Sequence, residues 1–586
     1  MPSGSLVRAF ALMCSFIVLA ACGSGTVSHN RGIDPPNSGN PGPGGPGGGL
    51  PPPPPPPPAV TEVTLTGVVT FDKVPFSATS GAGLDYAATT QAPARAVALE
   101  IVNAITNVAF ANATTDETGT YSVIVPANLV VKVRVKAQMG SVQVLDNTSG
   151  DTVYEYEDAQ FATGAIEPRL RDLNVPSGWD GAAYSQPRAA APFAILDDIY
   201  RAQQFVLAAV PGLAFPDLNV FWSPQNTPTV NTGTFDTDRV TGDIDTTQFA
   251  TVDVNETGHP GIYVLGSADD DTDEYDPDVI IGSWALYYLA SFSRDDSMYG
   301  SIELKQDLRA AYSQGWQLAF PLMVKGNAVY QDSSGGAQGD SEDTDFEDNT
   351  IAGADAGWFS PFSIGAILYD LWDSNDDAAD TVAVPFAALN SVLVQDMPIT
   401  HAMTSIYPFA NGLITRNPGS TAQIAALLNE QNIVTPVDDF GTGETNNGGS
   451  VNNLPIYTNI AADDADHDVF STGDEDNYYN ALGNRRYFRF TLLAPRAVTN
   501  IRARAQGAGA ANRDPDIYLW RDGEIVDDSA TEDSSGNPNF GTQILNRMTE
   551  LPAGNYVIEV SESGNIFPDD PDTETNNTRI RVRISP

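Results

Sequence analysis

Asp276-Pro-Asp-Val-Ile-Ile-Gly-Ser-Trp-Ala-Leu-Tyr-Tyr288 and, after a connection, Ala311-Tyr-Ser-Gln-Gly-Trp-Gln-Leu-Ala319 decide how this chain is read. Both stretches have helical spacing. Gly282 and Leu286 are i, i+4 neighbours on one face, and Leu304, Leu308, Ala311, Gly315, Leu318 and Leu322 form a second apolar stripe. Gln314 sits beside that stripe and is expected to point inward.

Working outward, the phrases Ala191-Pro-Phe-Ala-Ile-Leu-Asp-Asp-Ile-Tyr200 and Gly357-Trp-Phe-Ser360 frame the two helices. This order resembles, over about residues 185–435, zinc metallopeptidases in which one helix carries H-E-x-x-H and a later helix supplies a glutamate. In that family the two histidines and the glutamate hold Zn²⁺, and the glutamate inside the motif activates water. The resemblance puts the first histidine at Gly282, the general base at Ser283, the second histidine at Leu286 and the third ligand at Gln314. Glycine and leucine offer no lone pair, serine is a poor base, and a neutral amide is a weak zinc ligand. Without Zn²⁺ a buried glutamate at 314 would be an uncompensated charge costing about 3–5 kcal/mol, whereas glutamine needs only hydrogen bonds. The resemblance therefore implies a peptidase scaffold with no zinc and no catalytic residue.

With 75 acidic against 29 basic residues and a net charge of −46, the chain is expected to be repelled by nucleic acid and anionic membrane surfaces, and to favour divalent or cationic partners. At 586 residues it is long enough for three or four domains. Its 2 cysteines, Cys14 and Cys22, lie at the extreme N-terminus, so no disulfide, cysteine nucleophile or cysteine-ligated metal is available to the later domains.

Arg8 and the apolar run Ala9–Ala20 read as a secretory signal. Leu19-Ala20-Ala21-Cys22 resembles a bacterial lipobox, which implies cleavage at 22, lipidation of Cys22 and a membrane partner through the acyl chains. Gly23 after the cysteine implies outer-membrane sorting in a Gram-negative cell. Residues 23–59 are a Gly/Pro-rich linker whose eight prolines, Pro51–Pro58, form a polyproline rod of about 25 Å. From 60 to 175, alternating runs such as Val63–Phe71, Val97–Val102, Tyr121–Val125 and Val130–Val135 predict a small β-sandwich. In it, Asp116–Tyr121 is a turn with Gly119 available for positive φ. The set resembles carboxypeptidase regulatory-like, transthyretin-like modules. Helical spacing begins after Pro192 (Ile195, Leu196, Ile199, Ala202, Val206, Ala209) and recurs at Ser363–Trp372, with strands at Leu218–Trp222 and Ile262–Leu265 between. Residues 436–454, rich in Gly, Asn and Thr, are expected to be a linker. From 455 to 586 the alternation of Tyr487–Leu492, Asp514–Leu519 and Leu551–Val560 resembles the bacterial pre-peptidase C-terminal β-sandwich. The expected fold class is thus multidomain: a β-sandwich, a mainly helical α+β domain, and a second β-sandwich.

The chemistry left to such a chain is narrow. Its 4 histidines, His29, His259, His401 and His467, include no pair at helical ligand spacing. From residue 60 onward there is no G-x-S-x-G and no G-x-x-x-x-G-K-[ST]. Calcium is the remaining ion: Asp464, Asp466, Asp468 and Glu475 fall at positions 1, 3, 5 and 12 of an EF-hand-like loop, although Val469 stands where the loop needs glycine. The acidic loops Asp269–Glu274 and Asp340–Asp348 are weaker candidates. The expectation is a lipid-anchored surface protein that binds peptide or protein, or assembles, without cutting. The rival is an extracellular hydrolase of peptide or glycan working through a carboxylate and calcium site.

Overall fold

A computed structural model describes residues 62–585 except 166–167, 230–234, 252–260, 299–301, 375–379, 474–478, 498–499, 529–540, 547–549 and 567–576. Period-two alternation builds the N-terminal sandwich. Strand Glu62–Lys73 turns Val63, Leu65, Val69 and Phe71 inward and pairs antiparallel with Thr120–Pro126 and parallel with Leu173–Val175. The second sheet sets Val130–Lys136 between Ala98–Asn103 and Glu155–Glu157. The Asp116 turn forms as expected, its carboxylate accepting from Thr118 N at 2.8 Å and Thr120 N at 2.9 Å. Gly119 has φ +77°, and a Cβ there would lie 2.4 Å from Val69 O, so glycine is required.

The expected boundary at 175 is crossed by the chain. Strands Gln138–Met139, Val142–Asp146 and Thr152–Val153 leave the sandwich and join a six-stranded sheet with Leu218–Trp222, Gly261–Val264 and Gln248–Ala250. Val144 pairs with Val220, and Val220 with Ile262, both in parallel. One continuous apolar core accordingly runs from Val63 through the helical domain to Val557. The N-terminal module shares its core with that domain.

Helices Ala191–Ala209, Pro277–Phe292, Leu308–Lys325 and Pro361–Trp372 carry most of the core. Pro277–Phe292 is buried on every side from Asp278 to Leu289, which explains its lack of a polar stripe. Leu308–Lys325 begins where Asp307 accepts from Arg309 N and ends at Gly326 with φ +67°. Leu304 therefore falls outside the stripe expected to include it, and is 46% exposed. The two helices run antiparallel: Lys325 Nζ at the end of one is 2.6 Å from Asp278 Oδ2 at the start of the other. Among the described residues no helix is long and apolar enough to cross a membrane.

Residues 436–454 have a linker's composition but pack against the body. Glu444 accepts from Tyr407 Oη at 2.7 Å, Val434 N at 3.0 Å and Asn446 N at 2.7 Å, while Trp358 Nε1 donates to Asn446 O. The C-terminal sandwich follows, with a five-stranded sheet and a four-stranded one enclosing a second core of Phe488, Phe490, Ile517, Ile558, Ile580 and Val582. It is locked to the helical domain by buried charge. Arg309 Nη1 and Nη2 each lie 3.0 Å from a Glu559 oxygen, with Arg485 on the same carboxylate at 3.1 Å and Asp307 on the Arg309 Nε at 3.0 Å.

Candidate functional site

Of the four positions of the peptidase-like frame, Gly282 stands where the two helices touch. A Cβ on Gly282 would stand 2.9 Å from Gln317 O and 3.2 Å from Gln317 Cγ, so the two helices touch at that glycine. Continuing about one turn along each antiparallel helix brings Leu286 to the level of Ser313 and Gln314. Leu286 is 9% exposed and Gln314 6%, and Ser283 is fully buried with no hydrogen-bond partner for its Oγ. Gly315 on the other side of the second helix is pressed just as hard, its Cβ position falling 2.5 Å from Ile364 Cγ2. The seam is packed, presents no imidazole or carboxylate at these positions, and leaves no room beside Gly282 for a larger side chain.

The histidines stand apart from it. His401 is exposed on the helical domain with Nδ1 2.5 Å from Asp522, and His467 begins an edge strand of the second sandwich. His29, His259 and Cys22 lie outside the described residues.

Three of the four EF-hand-like positions lie among the described residues, on or beside a paired strand. Asp464, Asp466 and Asp468 lead into and occupy strand His467–Ser471, which pairs with Thr578–Ser585. Their oxygens are taken by guanidinium groups: Asp468 by Arg579 and by Arg581 at 2.9 Å, Asp466 by Arg583 at 2.5 Å and Arg581 at 3.4 Å, Asp464 by Arg583 at 3.6 Å. Arginine holds Asp468 below the usual carboxylate range. An extended strand cannot wrap a cation, and these carboxylates already have counter-charges. Glu475 lies outside the described residues.

The donor set best suited to a cation comes instead from the weaker candidate, the 269–274 loop. Asp271 and Asp273, flanking the hairpin before helix Pro277–Phe292, meet Asp332 on strand Val329–Ser334, and one oxygen of each lies within 4.8 Å of the others. Thr247 Oγ1 donates to Asp273, and Ser333 N and Oγ donate to the adjacent Asp276 at 2.7 and 2.9 Å. Burial pushes Asp271 up to about 6, against a hydrogen bond with Asp273 that lowers it; burial first, and then repulsion from Asp271, pushes Asp332 up to about 8, and burial likewise raises Asp273 and Asp276 well above the ordinary range. Arg188 nearby is spent on Glu274, Thr272 Oγ1 and Gly266 O. Three hard oxygen donors at this spacing suit a divalent ion such as calcium, or retain protons in its place. Residues 176–454 concentrate the chain's acidity, with 39 acidic against 8 basic residues. Asp332 carried no signal in sequence, being a lone acid in a strand 59 residues beyond Asp273.

Fold and site together define a multidomain chain of β-sandwiches around an α+β helical domain. No protein-family model matches the sequence, and no curated protein matches it either. One solved structure similar in part is the pre-peptidase C-terminal domain of a collagenase from Bacillus anthracis, at 9% identity, covering 22% of this chain and 94% of that chain with a TM-score of 0.15. That likeness concerns the β-sandwich fold alone.

Proposed function

We propose that this chain is a lipid-anchored cell-surface protein, held in the outer membrane through Cys22, whose central domain is a metallopeptidase-like scaffold without activity. It works as a binding or assembly module for peptide or protein, and its C-terminal part is a pre-peptidase-like sandwich. The observation that supports the reading is the closed helix–helix seam: Gly282 is pressed against Gln317, Leu286 and Gln314 are buried, and no residue at the positions the resemblance assigns to zinc ligands could hold the ion. Purified full-length protein is expected to hold no stoichiometric zinc by elemental analysis and to leave unfolded casein uncut. Stoichiometric zinc together with casein cleavage overturns the proposal.

The second reading, an extracellular hydrolase of peptide or glycan using carboxylates and calcium, is favoured by one observation, the converging Asp271, Asp273 and Asp332 with their raised proton affinities. It requires hydrolysis that calcium supports and Asp332→Asn abolishes. Zinc-free protein with that behaviour selects this reading over the first.

A further inference from the structure

The outer face of the C-terminal sandwich carries an arrangement that neither reading uses. Strands Asn500–Gln506 and Thr578–Ser585 are antiparallel neighbours in the four-stranded sheet, and their burial alternates strictly. Ile501, Ala503, Ile580, Val582 and Ile584 face the core, so Arg502, Arg504, Arg579, Arg581 and Arg583 all face outward. Register places Arg502 directly across from Arg583 and Arg504 across from Arg581. Like charges in directly opposed cross-strand positions destabilise a sheet. Five of the chain's 29 basic residues stand in this one ladder, in a protein of net charge −46.

The compensation is one-sided. Asp464, Asp466 and Asp468 border the strand Thr578–Ser585 and pair with its three arginines, which nevertheless keep side-chain exposures of 47%, 34% and 39%. Arg502 and Arg504 have no ion pair among the described residues, and on their far side the sheet continues with Thr542 and the exposed Ile544, both neutral. The ladder also points away from the rest of the molecule. The other sheet of the sandwich turns Tyr487, Val557 and Glu559 to the helical domain, and the sandwich core lies between the two sheets. Sheets pack about 10 Å apart, so the acidic helical domain stands beyond the screening length of about 8 Å at physiological ionic strength.

We propose that this arginine ladder binds a linear anionic polysaccharide, whose carboxylate or phosphate groups seat against Arg502 and Arg504. Guanidinium forks match such oxyanions bidentately, and successive outward arginines on a strand repeat at about 6.7 Å along a straight line. Parallel rows of outward side chains on neighbouring strands suit a chain lying along them, and Asn500 and Thr542 on the same face offer neutral partners for sugar hydroxyls. Duplex nucleic acid, with one charge per about 1.7 Å of axis, meets far stronger repulsion from the rest of the molecule.

The test uses the full chain on immobilised polygalacturonate, with single-stranded DNA as the competing polyanion. Binding at physiological salt is expected. It should weaken about tenfold in Arg502→Gln/Arg504→Gln, and the slope of log affinity against log salt should fall by about two. Because those two arginines hold no ion pair among the described residues and each stands opposite another arginine, the melting temperature should hold or rise slightly. Asp468→Asn, which releases Arg579 and Arg581, should tighten binding. Absence of binding, an undiminished double variant, weaker binding in Asp468→Asn, or tighter binding to DNA overturns the proposal.

Discussion

Gly282→Ala is the substitution that most directly probes the closed seam. Inside a helix, exchanging glycine for alanine normally stabilises by about 0.5–1 kcal/mol, because alanine loses less conformational freedom on folding. Here the added methyl would sit 2.9 Å from Gln317 O, a backbone atom of the facing helix, and 3.2 Å from Gln317 Cγ. The side-chain carbon can yield; the carbonyl cannot without moving the helix. Overpacking of this kind costs about 1–3 kcal/mol. The clash outweighs the propensity gain, leaving a net destabilisation of about 0.5–2 kcal/mol, which calorimetry should register as a fall of about 1–4 °C in the melting transition. Gly315→Ala, whose methyl would meet Ile364 Cγ2 at 2.5 Å and Pro361 O at 3.1 Å, should cost more. Gly419→Ala meets nothing within 4 Å and serves as the control, with stability unchanged or raised. If Gly282→Ala stabilises the protein as an isolated helix would be stabilised, the two helices are not in contact there. The proposed closure of the positions that the resemblance assigns to zinc ligands then fails with it.

Two further predictions concern buried charge. Arg309→Met removes the guanidinium shared by Asp307 and Glu559, and should cost about 3–5 kcal/mol, nearer the lower figure because Arg485 stays on Glu559. Calorimetry should show the C-terminal sandwich melting as a separate, earlier transition, and an unchanged thermogram refutes the clamp. The Asp271–Asp273–Asp332 cluster predicts a pH dependence opposite to that of salt-bridged carboxylates. Its folded proton affinities lie above the unfolded value of about 3.9, so the native state binds more protons across that window. The stabilisation is fully present below about pH 4 and is lost as pH rises through about 6 for Asp271 and about 8 for Asp332. Wild-type protein should therefore melt lower at pH 8 than at about pH 5, by a margin that shrinks in Asp332→Asn, and millimolar calcium should raise the melting temperature at pH 8 only. A calcium effect equal at both pH values refutes cation binding in place of those protons.

What could be read in the sequence was whatever depends on near neighbours. The alternation of Val63, Leu65, Val69 and Phe71 announces a strand because successive side chains must take opposite faces, and the spacing from Ile195 to Val206 announces a helix for the corresponding reason. Spacing puts Gly282 and Gln314 each on a helix, whereas their belonging to one site was implied only by the peptidase-like resemblance. Pairings across long separations left no such trace. Val144 joins Val220 in parallel, which nothing near residue 144 declares, so a boundary drawn at 175 from composition cuts through a sheet. Gly- and Asn-rich residues 436–454 look unstructured by composition, yet their amides and carboxylates are bonded to Trp358 and Tyr407 far earlier in the chain. Asp464, Asp466 and Asp468 show the same limit in their chemistry. Acids two residues apart are compatible with a calcium loop and equally with the outer edge of a strand. The deciding fact is the matching period of Arg579-Ile-Arg-Val-Arg583, more than 100 residues away, visible in the sequence but meaningless until the two strands are known to be paired.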